Sequence, residues 1–158
     1  MNNIKKIFLL TASLLVLIFS CNNNRVFHEV KKIDDLKWHK KDKAVFNFTL
    51  EDTTVSYELI LNIRYIQGYP YKFLHLNIDI TNPEGKTMVH EAQVQIISDE
   101  KKYIGDGAGS YWDLDYPVPE YDFHQKGIYK ISIEHTMDND IAYPVNEIGI
   151  SIIKKEKK

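Results

Sequence analysis

The residues that could do chemistry crowd into one stretch of the chain. Between Tyr111 and Asp122 stand the rings of Tyr111, Trp112, Tyr116 and Tyr121 and the carboxylates of Asp113, Asp115, Glu120 and Asp122. Aromatic rings beside carboxylates make a surface on which a sugar or an extended peptide can stack and hydrogen-bond. Tyr111, Trp112, Asp113, Asp115, Tyr116 and Tyr121 are therefore the candidate binding surface. The competing use of the same rings is structural: they fold back and plug the open edge of a sheet. Asp106, Asp113, Asp115, Glu120 and Asp122 could offer calcium its hard oxygen ligands, but they lack the alternating spacing and closing Glu of an EF-hand loop. No metal site is assigned. Glu120 with Asp122, or Asp113 with Asp115, could be drawn as a glycosidase pair. Such carboxylates must flank a bond from roughly 5 to 10 Å apart, and neighbours two apart on a strand share a face with no cleft between them.

Other chemistry fails on spacing. Gly105-Asp106-Gly107-Ala108-Gly109 has neither the following helix nor the lysine of a phosphate cradle, and reads as a tight turn or bulge. His28, His39, His75, His90, His124 and His135 show no paired metal spacing, and no G-x-S-x-G elbow is present. His135 ends an apolar row, where a half-buried structural histidine is expected. The reading is a protein with no catalytic residues and no cofactor.

The lone cysteine, Cys21, carries a different chemistry. One cysteine excludes an intrachain disulfide framework and a thiolate-rich metal site. Lys5 and Lys6 precede about thirteen apolar or small residues, Ile7 to Phe19. A membrane-spanning helix needs about 20 apolar residues, so this run fits the core of a signal peptide instead. Ile18-Phe19-Ser20-Cys21 resembles the bacterial lipobox, in which a small residue precedes a cysteine whose sulfur becomes a thioether to diacylglycerol. The expected division is a signal peptide over 1–20, a lipidated N-terminus and short tether over 21–25, and one domain over 26–158. Each buried methylene contributes about 0.8 kcal/mol, so a cysteine bearing two or three acyl chains would be held permanently.

The elements that must position these residues read as strands. Phe46, Phe48 and Leu50 share one face, as do Tyr57, Leu59, Leu61, Ile63 and Tyr65, and Leu74, Leu76, Ile78 and Ile80. Val94 with Ile96, Tyr129 with Ile131 and Ile133, and Ile148 with Ile150 and Ile152 continue the pattern. Glu51–Thr54, Gly68-Tyr69-Pro70 and Asn82-Pro83-Glu84-Gly85 supply turns between them. No sustained 3.6-residue stripe occurs, and half-polar strands joined by short turns pair antiparallel and stack as two sheets. The expected fold is all-β, an antiparallel β-sandwich of immunoglobulin-like or jelly-roll-like plan. The stretch from Tyr103 to His124 shows no clear alternation and reads as a long loop.

A net charge of −2 gives no electrostatic pull toward nucleic acid. Lys31, Lys32, Lys37, Lys40, Lys41 and Lys43 crowd the start of the mature chain, and Lys154, Lys155, Lys157 and Lys158 end it. They read as solvated residues, with weak attraction to lipid headgroups as the alternative.

With these residues laid out, the mature chain resembles the gliding-motility lipoprotein family of GldH type. The likeness is carried by Val26-Phe27, Trp38, Asp52-Thr53-Thr54, Tyr57, Leu61-Asn62-Ile63-Arg64, Tyr69-Pro70-Tyr71 and Pro83-Glu84-Gly85. Tyr103-Ile104-Gly105-Asp106-Gly107, Gly127-Ile128-Tyr129, Glu134-His135-Thr136-Met137 and Ile148-Gly149 complete it. Asp138-Asn139-Asp140 departs from it, since the family often has a basic residue there. The resemblance implies a cell-envelope lipoprotein of Gram-negative gliding bacteria and their non-gliding relatives. It implies no enzymatic activity, and protein partners in the motility and adhesin-secretion machinery. No acidic cluster follows Cys21, so the domain is expected to face the periplasm, from the outer membrane. The alternative function is an envelope glycan- or peptide-binding module using the aromatic and acidic loop 110–122.

Overall fold

An apolar row on alternate residues becomes a strand when a second such row can cover it. In this computed structural model, which describes residues 24–119 and 121–155, that covering is mutual between two sheets. The strands are β1 (Arg25–Lys32), β2 (Trp38–His39), β3 (Ala44–Leu50), β4 (Tyr57–Ile66), β5 (Phe73–Thr81) and β6 (Thr87–Gln95). They continue as β7 (Asp106–Ala108), β8 (Tyr111–Val118), β9 (Gly127–His135), β10 (Ile141–Ala142) and β11 (Val145–Lys154). One sheet has the order β1-β11-β4-β8-β7 and the other β3-β9-β5-β6, with a small ribbon of β2 and β10. Every pairing between these strands is antiparallel.

The core lies between the two sheets. Leu61 and Ile63 of β4 and Ile148, Ile150 and Ile152 of β11 meet Phe46 of β3, Ile78 and Ile80 of β5 and Ile131 and Ile133 of β9, all fully or nearly fully buried. The fold class is the expected one, an antiparallel β-sandwich. The apolar rows from Phe46, Tyr57, Leu74, Val94, Tyr129 and Ile148 lie in β3, β4, β5, β6, β9 and β11.

The reading of Tyr103–His124 as a long loop is corrected: most of it is the β7–β8 hairpin. Trp112, Leu114, Tyr116 and Val118 do alternate with Tyr111, Asp113, Asp115 and Pro117. Pro117 masks the pattern. It is tolerated opposite Ile60 because β7 pairs only with Tyr111–Asp113, so β8 is an edge strand at that point and needs no outward N–H.

Cys21 and the signal-peptide residues lie outside the described residues. β1 begins at Arg25, and the Asn24 carbonyl accepts the Lys154 amide at 2.7 Å, so both residues belong to the sheet rather than to the tether. From there β1 carries the chain about 25 Å to the opposite end of the sandwich. Lys37, Lys40, Lys41 and Lys43 therefore lie toward the other end of the sandwich from Arg25. Among the described residues no helix is long and apolar enough to cross a membrane.

Candidate functional site

Period two divides the predicted binding surface between the faces of β8. Tyr111, Asp113 and Asp115 point outward from the five-stranded sheet, whereas Trp112, Leu114, Tyr116 and Val118 point toward the core. Trp112 is half-buried against Tyr103, with ring centroids 5.6 Å apart, and its Nε1 has no hydrogen-bond partner. Its ring also lies over Gly107, where an added Cβ would sit 3.1 Å from the nearest ring carbon. The glycine run thus makes room for the hairpin to close over an aromatic ring. Gly105, at φ +122°, approaches so closely that a Cβ would lie 2.3 Å from the Asp113 carbonyl oxygen, and Gly109 supplies the positive φ of a two-residue hairpin turn. Tyr121 lies beyond β8 and packs edge-on against Phe123 at 4.6 Å, and burial pushes its phenol up to about 12. Trp112, Tyr116 and Tyr121 are thus partly buried against the core, and Tyr111, Asp113 and Asp115 lie on the outward face of β8.

The carboxylates on the outer face belong to a polar fabric. Asp113 receives two hydrogen bonds from Arg64, at 2.6 and 3.0 Å, and the same guanidinium reaches Glu147 at 3.2 Å. These acids hold Arg64 firmly protonated, with its pKa raised chiefly by the Asp113 hydrogen bond. Beside them runs a second row. Asn62 donates Nδ2–H to Asp115 at 2.7 Å, Ser151 donates its hydroxyl to Asn62 Oδ1 at 2.8 Å, and His28 Nδ1 lies 3.0 Å from the Ser151 oxygen. A serine beside a histidine invites a nucleophilic reading, but the chain of donors runs the wrong way. Asp115 fixes the Asn62 amide so that its oxygen faces Ser151, and the serine proton goes to that oxygen. The oxygen of Ser151 is then left to accept from His28, which cannot act as its base. Ser151 is also only 1 % exposed, which closes it to any substrate.

The calcium candidates do not converge either. Among the described residues no three His, Cys, Asp or Glu side chains are placed to hold a metal ion. Asp106 faces Asp113 across the β7–β8 pair, but Arg64 already occupies Asp113. Glu120 lies outside the described residues.

Two features were not readable in the sequence. One is the His28–Ser151–Asn62–Asp115 row, which joins four strands far apart in the chain. The other is an open hollow of about 660 Å³ at the end of the sandwich away from Arg25, bordered by Tyr71, Phe73, His75, Met137 and Asn139. Asn139 Nδ2 hydrogen-bonds the Tyr71 hydroxyl across it, and the His75 amide donates to the Met137 sulfur at 3.4 Å. Alternation could have placed Phe73 and His75 on one outer face, but nothing local brings the 136–139 turn beside them. His135 is fully buried, more deeply than expected, and stacks edge-on against Trp38 at 5.4 Å.

Comparison with known proteins identifies relatives of this chain. The family described as GldH lipoprotein matches residues 25–152. The chain is 29% identical over 148 residues to the gliding motility lipoprotein GldH of Flavobacterium johnsoniae, covering 89% of this chain and 92% of that protein. It is 30% identical over 124 residues to the gliding motility lipoprotein GldH homolog of Christiangramia forsetii, covering 78% of this chain and 75% of that one. A solved structure of a family GH115 4-O-methyl-alpha-glucuronidase overlays 81% of this chain on 14% of its own length, at 13% identity and a TM-score of 0.40. A likeness at that level carries no argument about function.

Proposed function

Because the chain belongs to the GldH lipoprotein family, we propose that it is a noncatalytic envelope lipoprotein, anchored by lipid on Cys21, that supports gliding motility through contacts with protein partners. The observation that carries this reading is the extent of the family match. It begins at Arg25, four residues after the lone cysteine, and ends at Ile152, two residues short of the end of β11. The match thus spans the sandwich, and the sequence before it is read as a signal peptide over 1–20 and a lipidated N-terminus at Cys21. The absence of an acidic cluster after Cys21 supports a domain that faces the periplasm, from the outer or the inner membrane.

The polar groups support a role without catalysis. Arg64, Asp113, Glu147, Asn62, Asp115 and Ser151 are tied to one another across the outer face. They stiffen a surface that a partner can read, with Tyr111, Asp113 and Asp115 as its outward groups on β8.

The test is genetic. A clean deletion is expected to impair colony spreading and surface-adhesin display. Wild-type protein is expected to restore both, and Cys21→Ser is expected to restore neither. Normal spreading and display in the deletion strain would remove the motility reading, and full rescue by Cys21→Ser would remove the anchor from it.

A further inference from the structure

Two sheets have four outer edges, and both edges of the five-stranded sheet are protected. β1 carries a bulge between Arg25 and Phe27 and ends in Lys31-Lys32. β3, the shorter edge of the other sheet at seven residues, packs two of its inward rings, Phe48 and Phe46, against Phe27 and Lys31 of β1 at 5.4 and 5.3 Å. The β8 edge is blunted by Pro117 and the short β7. These are the ordinary devices that keep an edge strand from pairing with another chain.

β6, the longer edge of the four-stranded sheet, has none of them. β6 runs nine residues, Thr87–Gln95, with no Pro, Gly, Lys or break in register against β5. Its ladder has a fixed parity. The Ile96 amide and the Lys86 carbonyl both point at β5, bonding Lys72 and Asn82 at 2.8 and 3.0 Å. With no bulge between them, Met88, His90, Ala92 and Val94 also turn their N–H and C=O groups to β5. Val89, Glu91 and Gln93 turn theirs outward, and among the described residues no strand lies there. Two apolar side chains on this edge are exposed, Val89 at 57% and Met88 at 38%.

We infer that β6 is where the partner docks, by adding an extended segment of its own as a fifth strand on the β3-β9-β5-β6 sheet. This deepens the partner-binding reading above and rests on it. The occupant is specified by the groups on offer: outward amides and carbonyls at every second residue match only another extended backbone. A second copy fits poorly. Symmetric pairing of two β6 strands runs them antiparallel and sends the two Arg25 ends to opposite ends of the pair, about 30 Å apart. Both tethers must enter one membrane from Cys21, four residues before Arg25. Such a pair would have to lie flat on one sheet face, whereas Arg25, Lys154 and Lys155 cluster at the tether end as a better match to phosphate headgroups. A segment from a different protein has no such constraint.

The test uses the full-length anchored protein in its own envelope, with a photoreactive amino acid at Gln93. Irradiation is expected to join it to an extended segment of a different polypeptide. Glu91→Pro removes one outward N–H and no bond to β5. It is expected to cut the adduct by roughly tenfold or more, the scale of a ladder hydrogen bond left unmade. Glu91→Ala keeps the N–H and is expected to stay within about twofold, a side-chain effect at an exposed site. Equal yields from the two variants, an adduct holding only a second copy, or no adduct at all would each overturn the proposal. Hydrogen exchange on the unmutated protein gives a second reading that does not depend on how Glu91→Pro folds. Amides of 87–95 should exchange more slowly in the envelope than after purification in detergent, and identical exchange would also overturn it. Normal spreading of a deletion strain, with the adduct intact in wild type, would sink the motility reading alone. Loss of spreading on deletion with undiminished adduct from Glu91→Pro would sink this inference alone.

Discussion

His135 makes the stability of this fold depend on pH in a window where carboxylates are silent. The ring is fully buried at the end of β9, and neither nitrogen has a hydrogen-bond partner. Burial is the largest influence on it and lowers its pKa below the ordinary 6.5; nearby Lys40 lowers it further, and the backbone of Trp38 and Asp140 and the charge of Glu134 offset this only in part. The sign follows from linkage. Above pH 6.5 the ring is neutral in both folded and unfolded chains, so it contributes no slope. Below 6.5 the unfolded chain binds a proton that the folded chain refuses, and stability falls as pH falls, until the folded pKa is passed. One proton sets the limiting slope at about 1.4 kcal/mol per pH unit. The perturbation is His135→Phe, which keeps an aromatic ring against Trp38 and removes the titrating group. Urea unfolding of both proteins, purified in neutral detergent, between pH 7.5 and 5 measures the effect. The wild type is expected to lose stability below pH 6.5 with a His135 contribution no steeper than that limit, and the variant to be flatter by that contribution. Parallel pH profiles for the two proteins would refute the reasoning, because the titration would then belong to other groups.

Three further outcomes follow from the geometry. Gly105→Ala places a Cβ 2.3 Å from the Asp113 carbonyl at a φ of +122°, and is expected to destabilise by about 2–4 kcal/mol in denaturant unfolding; a loss under about 0.5 kcal/mol, the level of a neutral surface change, would mean the hairpin yields freely. Arg64→Ala breaks pairs that are 40–47% exposed on the Arg64–Asp113 side, so its cost should stay near 1 kcal/mol and shrink in high salt; a salt-independent cost would point to packing instead. Trp112→Ala should lower the melting temperature by about 10 °C or more, as expected for an aromatic plug costing about 3 kcal/mol; unchanged stability with lost partner contact would return Trp112 to the binding surface.

The strands that could be read in the sequence are those with one dry face. Leu74, Leu76, Ile78 and Ile80 lie within the core without exception, so the period of β5 is unbroken and its face is certain. β1 was hidden because only part of its inward row is apolar: Phe27 is followed by Glu29 and Lys31, whose stems cover β3 while their charges stay wet. β8 was hidden by Pro117 and by aromatics on both of its faces. The rings of the candidate surface were visible as residue types, but which side they took depended on β8 being a strand at all. The polar row had no local signal, since His28 and Ser151 stand 123 residues apart and meet only because β1 pairs with β11. The free edge of β6 is legible only once the strand order of its sheet has been placed.

The anchor is the premise on which location and partner geometry both depend, and intact-mass measurement of the protein extracted from its own envelope tests it most directly. The account predicts a chain beginning at Cys21, heavier than its residues by a diacylglyceryl group and one further acyl chain at most. A chain of unmodified mass, or one that retains residues 1–20, would contradict it.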